Sequence, residues 1–341
     1  MRIAQLASPW ITVPPAGYGG TEWVVQQLCD GLVERGHEVR LYAAGDSHTA
    51  AELCALFPRQ MPEVLGQTSY DARQVSFAFA DIDEGGFDLV HDHSGFIGIA
   101  FSRYLATPMV HTVHCAFDAV AYGFYEQFAG EVPYVGISAY QQSMGPPAMN
   151  WAGLAYNAIA VEQWPYTPEK DDYLLAFGRV CEAKGFHLSI EAARRTGRRL
   201  IMAGVLQEPY REYFETLVAP HIDGDQIVYE GEVSNARKRE LFAHAHAFVF
   251  PITWPEPFGL VMIEAMACGT PVVALRQGSV QEVVDDGVTG FVRDDLEEFI
   301  AAVGRVGEID PAVCRRTVEE RFAVGRMVAD YEAIYRRVLE A

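Results

Sequence analysis

AFVFPITWPEPFGLVMIEAMACGTPVVAL, residues 247–275, reads as strand, loop, helix and strand. The short apolar runs at 247–250 and 272–275 fit buried strands of a parallel sheet. Between them, every residue from Phe258 to Cys268 except Glu264 is apolar or glycine, which describes a helix buried nearly all round. A strand, a crossover helix and a second strand form the repeating unit of a doubly wound α/β sheet.

The same alternation runs outward in both directions. Upstream strands are expected at 173–177, 200–203 and 227–229, and in the first half at 2–7, 38–43, 89–91, 109–114 and 134–137. The helix that follows the first strand shows its period in Val24, Val25, Leu28 and Leu32 and stops near Gly36. Polar, proline-containing sequence at 162–172, including WPYTPEKDD, interrupts the pattern and reads as a linker. With 341 residues, half of them hydrophobic, the chain can fill two cores, since single domains usually run to about 100–200 residues. The expected division is a first Rossmann-like domain at 1–161 and a second at 162–325. The amphipathic closing helix at 326–341, with Val328, Tyr331, Ile334, Tyr335 and Val338 on one face, is expected to pack back on the first. Two open parallel sheets in tandem are expected to bind ligands in a cleft between them, at the carboxyl ends of their strands.

A formal net charge of −20 argues against nucleic acid or an anionic membrane as partner, because phosphate-rich partners require clustered Lys and Arg. The six cysteines are scattered with no C-x-x-C pair, which fits a reducing compartment. The N-terminus lacks an apolar leader and no run reaches the roughly 18 apolar residues of a membrane span, so a cytoplasmic, soluble protein is expected.

Chemistry concentrates at the expected strand ends. Glu256, between two prolines, sits on the loop after the 247–250 strand, and Glu264 lies inside the apolar helix. A carboxylate in such a helix needs donors, either an arginine in a structural ion pair or the hydroxyls of a ligand. The amides of Phe258, Gly259 and Leu260 are expected to form a helix N-terminus suited to phosphate or a sugar oxygen. Arg179 and Lys184, the latter one of only three lysines, meet at the end of the 173–177 strand and could neutralise a diphosphate leaving group. Gly19 and Gly20 open the first helix, where backbone amides could meet the same phosphate. His91, Asp92 and His93 end one strand and His114 ends another, while alternation puts His111 and His114 on opposite faces. Any of these histidines could equally be a hydrogen-bonded core residue. His244 and His246 read as surface or capping residues.

Glu256 and Glu264, separated by seven residues, resemble the E-x7-E signature of retaining glycosyltransferases of family 4. Similar too are Gly178-Arg179 with Lys184-Gly185, Gly231-Glu232-Val233, the GTPVV run at 269–273 and the GVTGF run at 287–291. The first half is matched more loosely, by Gly19-Gly20-Thr21-Glu22, by His91-Asp92-His93 and around His114. Its PPAGYGG run at 14–20 resembles a subgroup that includes an avilamycin-pathway transferase. The resemblance implies a GT-B fold, an acceptor-side first domain and a donor-side second one. It implies that Arg179 and Lys184 clamp the donor diphosphate, that the Val233 backbone holds the nucleobase and that Glu264 holds the ribose. Glu256 would position sugar hydroxyls, His114 would lie beside the transferred sugar, and the Gly19-Gly20 loop would touch donor phosphate. Tyr18, His91, Asp92 and His93 are acceptor or cleft candidates. The implied reaction is transfer, with retention, from a UDP- or GDP-sugar as co-substrate to an acceptor hydroxyl on a sugar, lipid or secondary metabolite. No metal or other cofactor is expected, front-face attack is favoured over a covalent intermediate on Glu256, and the protein is expected to be a monomer or homodimer. Rival readings are an epimerase or phosphorylase on the same architecture, or a two-lobed sugar-binding protein without activity. A dinucleotide oxidoreductase is disfavoured because no G-x-G-x-x-G follows the first strand.

Overall fold

The computed structural model describes residues 1–17 and 19–341. Tyr18, an acceptor or cleft candidate, lies outside the described residues. The chain divides into two compact units, Met1–Ala158 with Val324–Ala341, and Ile159–Ala323.

The first unit is built on seven parallel strands: β1 (Arg2–Leu6), β2 (Glu38–Tyr42), β3 (Glu52–Cys54), β4 (Leu89–Asp92), β5 (Met109–Thr112), β6 (Tyr134–Gly136) and β7 (Trp151–Leu154). Their order is β3-β2-β1-β4-β5-β6-β7. The second has six: β8 (Tyr173–Phe177), β9 (Arg199–Ala203), β10 (Ile227–Tyr229), β11 (Ala247–Phe250), β12 (Val272–Leu275) and β13 (Gly290–Arg293), in the order β10-β9-β8-β11-β12-β13. Both sheets are therefore doubly wound. Strand order reverses between β1 and β4 in one and between β8 and β11 in the other, and such switch points open crevices at the carboxyl ends of the strands.

Helices of the first unit are α1 (Gly20–Glu34), α2 (Thr68–Gly85), α3 (Phe96–Phe101), α4 (Ala119–Gln127) and α5 (Ala139–Met144). Those of the second are α6 (Phe186–Thr196), α7 (Arg211–Tyr213), α8 (Asn235–His244), α9 (Leu260–Ala267), α10 (Val280–Val283), α11 (Leu296–Val303) and α12 (Pro311–Arg321). The stripe legible in α1 is buried, with Val24, Val25, Leu28 and Leu32 at 1% exposure or less. The closing helix α13 (Val324–Glu340) belongs to the first unit and packs on α1 and β7. Small residues permit this approach: a Cβ on Gly31 would stand 2.5 Å from Val328, and one on Gly153 would stand 2.7 Å from Ile334. Glu332 fixes the contact by accepting from Arg35 and His37, both at 2.8 Å.

The stretch expected to be a linker is a strap tied into the second unit. Lys170 Nζ donates to the carbonyls of Ala243 (2.7 Å) and Cys268 (2.9 Å) and to Thr270 Oγ1 (2.9 Å). Burial lowers the Lys170 ammonium to about 8. Its polar composition reads like a linker because the partners of that one lysine come from distant sequence. All six cysteines are unpaired, and among the described residues no helix is long and apolar enough to cross a membrane.

Candidate active site

In the second unit the polar groups gather beyond β8 and β11, the two strands at the switch point. Arg179 stands two residues past the end of β8, and its guanidinium lies 5.7 Å from the centroid of the Tyr210 ring. Lys184 closes the 3-10 turn Glu182–Lys184, and Gly185 in the left-handed conformation (φ 69°) joins it to α6. Only glycine fits there, because a Cβ would stand 2.1 Å from the carbonyl oxygen of Pro251. That close approach brings the β8 loop against the loop after β11. Lys184 Nζ consequently forms an ion pair with Glu256 Oε2, and Trp254 Nε1 donates to the same oxygen at 3.0 Å. Both of these bonds fall on Oε2, and no described residue bonds Glu256 Oε1.

The backbone of Glu256 is held from behind. Ser279 N donates to Glu256 O at 3.0 Å and Ser279 Oγ donates to Phe258 O at 2.9 Å. Gly278 (φ 59°) allows this, since a Cβ there would come within 2.3 Å of Glu256 O. The helix after Glu256 begins later than its sequence suggests. Gly259 is the cap residue (φ 80°) and α9 starts at Leu260, so the Phe258 amide precedes the first turn. Phe258 itself is core, its ring 5.8 Å from that of Phe322.

Glu264 is buried in α9 at 6% exposure, as the apolar run implied. Its partner is a lysine, not an arginine: Lys238 Nζ, from α8, bonds Glu264 Oε1 at 2.6 Å. Glu264 Oε2 is buried without a hydrogen-bond partner among the described residues. The two glutamates are thus treated alike, each giving one oxygen to a lysine and keeping the other. Val233 lies half-buried in the loop between β10 and α8, and Ser234 caps α8 by accepting from Arg237 N at 3.2 Å. A cavity of about 600 Å³ opens at this end of the sheet, lined among others by Arg179, Lys184, Tyr210, Tyr213 and Trp254.

The first unit holds a separate polar cluster beyond β1, β4 and β5. His91 bonds Tyr335 Oη (2.6 Å) through Nδ1 and Thr112 Oγ1 (2.7 Å) through Nε2, and Thr112 Oγ1 continues to Tyr331 Oη at 3.0 Å. Asp92 accepts from Ser94 N (2.9 Å) and Ser94 Oγ (2.6 Å) and meets His111 Nδ1 at 2.6 Å. His111 Nε2 reaches Tyr125 Oη at 3.1 Å. His93 joins Gln5 and His114, at 2.9 Å each. His91, Asp92, His93 and His111 are all buried, so the H-D-H run is core and only half-buried His114 reaches the surface of the unit. β5 ends at Thr112, two residues short of the expected end, so His114 lies on the following loop and strand alternation does not set its direction. Burial holds His91 and His93 well below the usual histidine range and His114 at about 3. Gly20 is the first residue of α1 and Gly19 its cap (φ 152°), with Glu22 in the first turn, where burial raises its carboxyl. His244 ends α8, and His246 is half-buried at the entry to β11.

Lys238, Trp254, Gly278 and Gln5 were missed from the sequence. Lys238 carried a signal, as one of three lysines in an arginine-rich chain. Trp254 and Gly278 lay close to recognised motifs, whereas Gln5 was the one polar residue in the apolar run from Ile3 to Ala7.

Residues 18–152 match the family model described as Glycosyltransferase Family 4, and residues 162–310 match the one described as Glycosyl transferases group 1. An uncharacterized glycosyltransferase of Methanocaldococcus jannaschii is 23% identical over 85% of this chain and 84% of its own length. A D-inositol 3-phosphate glycosyltransferase of Mycolicibacterium smegmatis is 25% identical over 94% of this chain and 87% of its own. Among solved structures, AviGT4, a glycosyltransferase involved in avilamycin A biosynthesis, matches with a TM-score of 0.75 at 27% identity, over 100% of this chain and 98% of that one. The two doubly wound sheets are those of the GT-B glycosyltransferase structures.

Proposed function

We propose that this chain, which joins a family 4 glycosyltransferase domain to a glycosyltransferase group 1 domain on the GT-B fold, moves a sugar from a nucleoside diphosphate sugar to an acceptor hydroxyl with retention. One observation carries the reading: Glu256 and Glu264 each hold one carboxylate oxygen on a lysine and leave the other without a bond to any described residue. Glu264 Oε2 is buried, where a carboxylate oxygen without a partner is costly, and a ligand hydroxyl is the donor that relieves it. Ribose hydroxyls suit Glu264, and hydroxyls of the transferred sugar suit Glu256.

Arg179 and Lys184 are the cations proposed for the diphosphate. As the bond from anomeric carbon to phosphate oxygen breaks, negative charge grows on the leaving group, and fixed cations lower the cost of that charge. The amides at the start of α9, Leu260 first among them, offer further donors. The Val233 backbone is proposed to hold the nucleobase, and the Gly19-Gly20 turn to meet donor phosphate. His114 is proposed to meet the transferred sugar.

Front-face attack is the favoured route to retention. The acceptor oxygen bonds the anomeric carbon on the face the phosphate leaves, and a phosphate oxygen takes the acceptor proton. In support, Glu256 Oε2 already accepts from Lys184 and Trp254, and a carboxylate held by two donors is a weakened nucleophile. The free thiols support a reducing, cytoplasmic setting.

A thermal-shift series with UDP, GDP and ADP tests the donor assignment, since a ligand that binds only the folded protein raises its melting temperature by mass action. One nucleotide is expected to stand out, and its sugar conjugates should yield free nucleoside diphosphate and a retained glycoside. No shift with any of them would overturn the reading. Transfer is also expected to persist in EDTA, and loss that magnesium or manganese restores would refute metal-independent leaving-group stabilisation.

A further inference from the structure

We infer that Gln5 is a positioning residue that fixes His114 in a single tautomer, Nε2–H, so that an unprotonated Nδ1 faces the ligand. This rests on the proposed reading only in taking the ligand group beside His114 to belong to the sugar.

The chain of bonds begins on α13. Tyr335 Oη lies 2.6 Å from His91 Nδ1. Gln5 Nε2 donates to this phenol oxygen, which leaves the phenol O–H to point at His91 Nδ1. The Gln5 Nε2 to Tyr335 Oη distance is 3.2 Å, and a phenol with one proton cannot also donate to Gln5 while that proton is on His91. That orients the amide. Gln5 Oε1 then faces His93 Nε2 at 2.9 Å, and a carbonyl oxygen can only accept, so His93 Nε2 carries hydrogen. His91, His93 and His114 are neutral, because burial opposes their charged forms. A neutral His93 with hydrogen on Nε2 has a lone pair on Nδ1, which lies 2.9 Å from His114 Nε2. His114 must donate there, and its own Nδ1 is left bare. No described residue bonds that atom.

Gln5 is fully buried at the centre of this chain, and each end of its amide has one partner. Its orientation sets the tautomer two side chains away. A bare imidazole nitrogen accepts from a hydroxyl and repels a phosphate or carboxylate oxygen. His114 is thereby selective for a hydroxyl group and unsuited to the diphosphate.

The test is nuclear magnetic resonance of the ring nitrogens in full-length protein labelled with 15N-histidine, without ligand, with the His114 signals identified by their loss in His114→Gln. At pH 7 the Nδ1 of His114 is expected at the position of an unprotonated ring nitrogen and Nε2 at that of a protonated one. The reverse pattern, an averaged pair of shifts or an imidazolium would overturn the inference. In Gln5→Met, which keeps the volume and removes the amide, the single-tautomer pattern should collapse to an average. An unchanged pattern would refute the role of Gln5. Should that variant not fold, the wild-type spectrum alone decides the tautomer.

Discussion

Lysine is used at only three positions among 26 Lys and Arg residues, and each is held by named partners. An ammonium is a compact point donor, whereas a guanidinium forks across both oxygens of a carboxylate. Lys184 and Lys238 can therefore neutralise Glu256 and Glu264 while each glutamate keeps an oxygen for a ligand. If so, charge alone does not explain the choice. Lys238→Arg preserves the charge yet should occupy both oxygens of Glu264, removing a charged hydrogen bond of roughly 1.5–3 kcal/mol from a bound nucleotide. Affinity for the preferred nucleoside diphosphate, measured by calorimetry below the melting point, should fall about tenfold or more, since about 1.4 kcal/mol is tenfold. Equal affinity would refute the assignment. Glu264→Gln should lose a similar amount by keeping shape and discarding charge. A variant that melts lower but binds as tightly as the natural protein would make Glu264 a structural ion-pair residue only.

At the scale of elements, what was legible followed from local pattern. β8, β11 and β12 begin and end where their apolar runs do, because central parallel strands are buried on both faces, and the edge strand β10 was legible because all three of its residues are apolar or aromatic. The strands missed were β3, β7 and β13, all at sheet edges, where three or four residues with a charge or glycine give no run to read. Glu264 was legible as a lone charge in an apolar helix, but Lys238, 26 residues earlier on another helix, was not tied to it by any spacing rule. The 162–172 strap was misread for a related reason, since its anchor is Lys170, whose three acceptors lie 73, 98 and 100 residues away. Lys170→Met should strand those acceptors and lower stability by about 1–3 kcal/mol, read as a lower urea midpoint. The same lysine carries a pH signature. Its folded value of about 8 lies below the ordinary 10.5, so the unfolded chain binds more protons between those values. Its burial penalty is full below about pH 8 and is relieved as pH rises toward 10.5. The gap in stability between natural protein and Lys170→Met should therefore widen over that range. A constant gap would mean that the three hydrogen bonds compensate the buried charge.

Across the whole molecule, the two units share a sheet architecture but are expected to respond differently to acid. The first encloses His91 and His93 and half-buries His114 as linked neutral rings, all with values lowered by burial from the ordinary 6.5. In the second, burial also lowers His187 and His246, but both are half-buried and neither is linked to another histidine among the described residues. The sign follows from linkage: a folded value below the unfolded one means that the unfolded chain takes up more protons, so stability present above pH 6.5 is lost as pH falls. Each such group removes about 1.4 kcal/mol per pH unit, so three together remove about 4 kcal/mol per unit until the folded values are reached. Against the usual margin of about 5–15 kcal/mol, that loss is decisive within about one to four units. The net charge of −20 works the other way at first, because protonating surface carboxylates relieves repulsion in both units. Early acid lability confined to the first unit is therefore attributable to its histidines. Hydrogen exchange read by mass spectrometry, stepped from pH 7 to pH 4 and corrected for intrinsic rates, should show β1, β4 and β5 losing protection before β8 and β11. Simultaneous loss, or earlier opening of the second sheet, would mean that the buried histidine network does not set the acid limit of this protein.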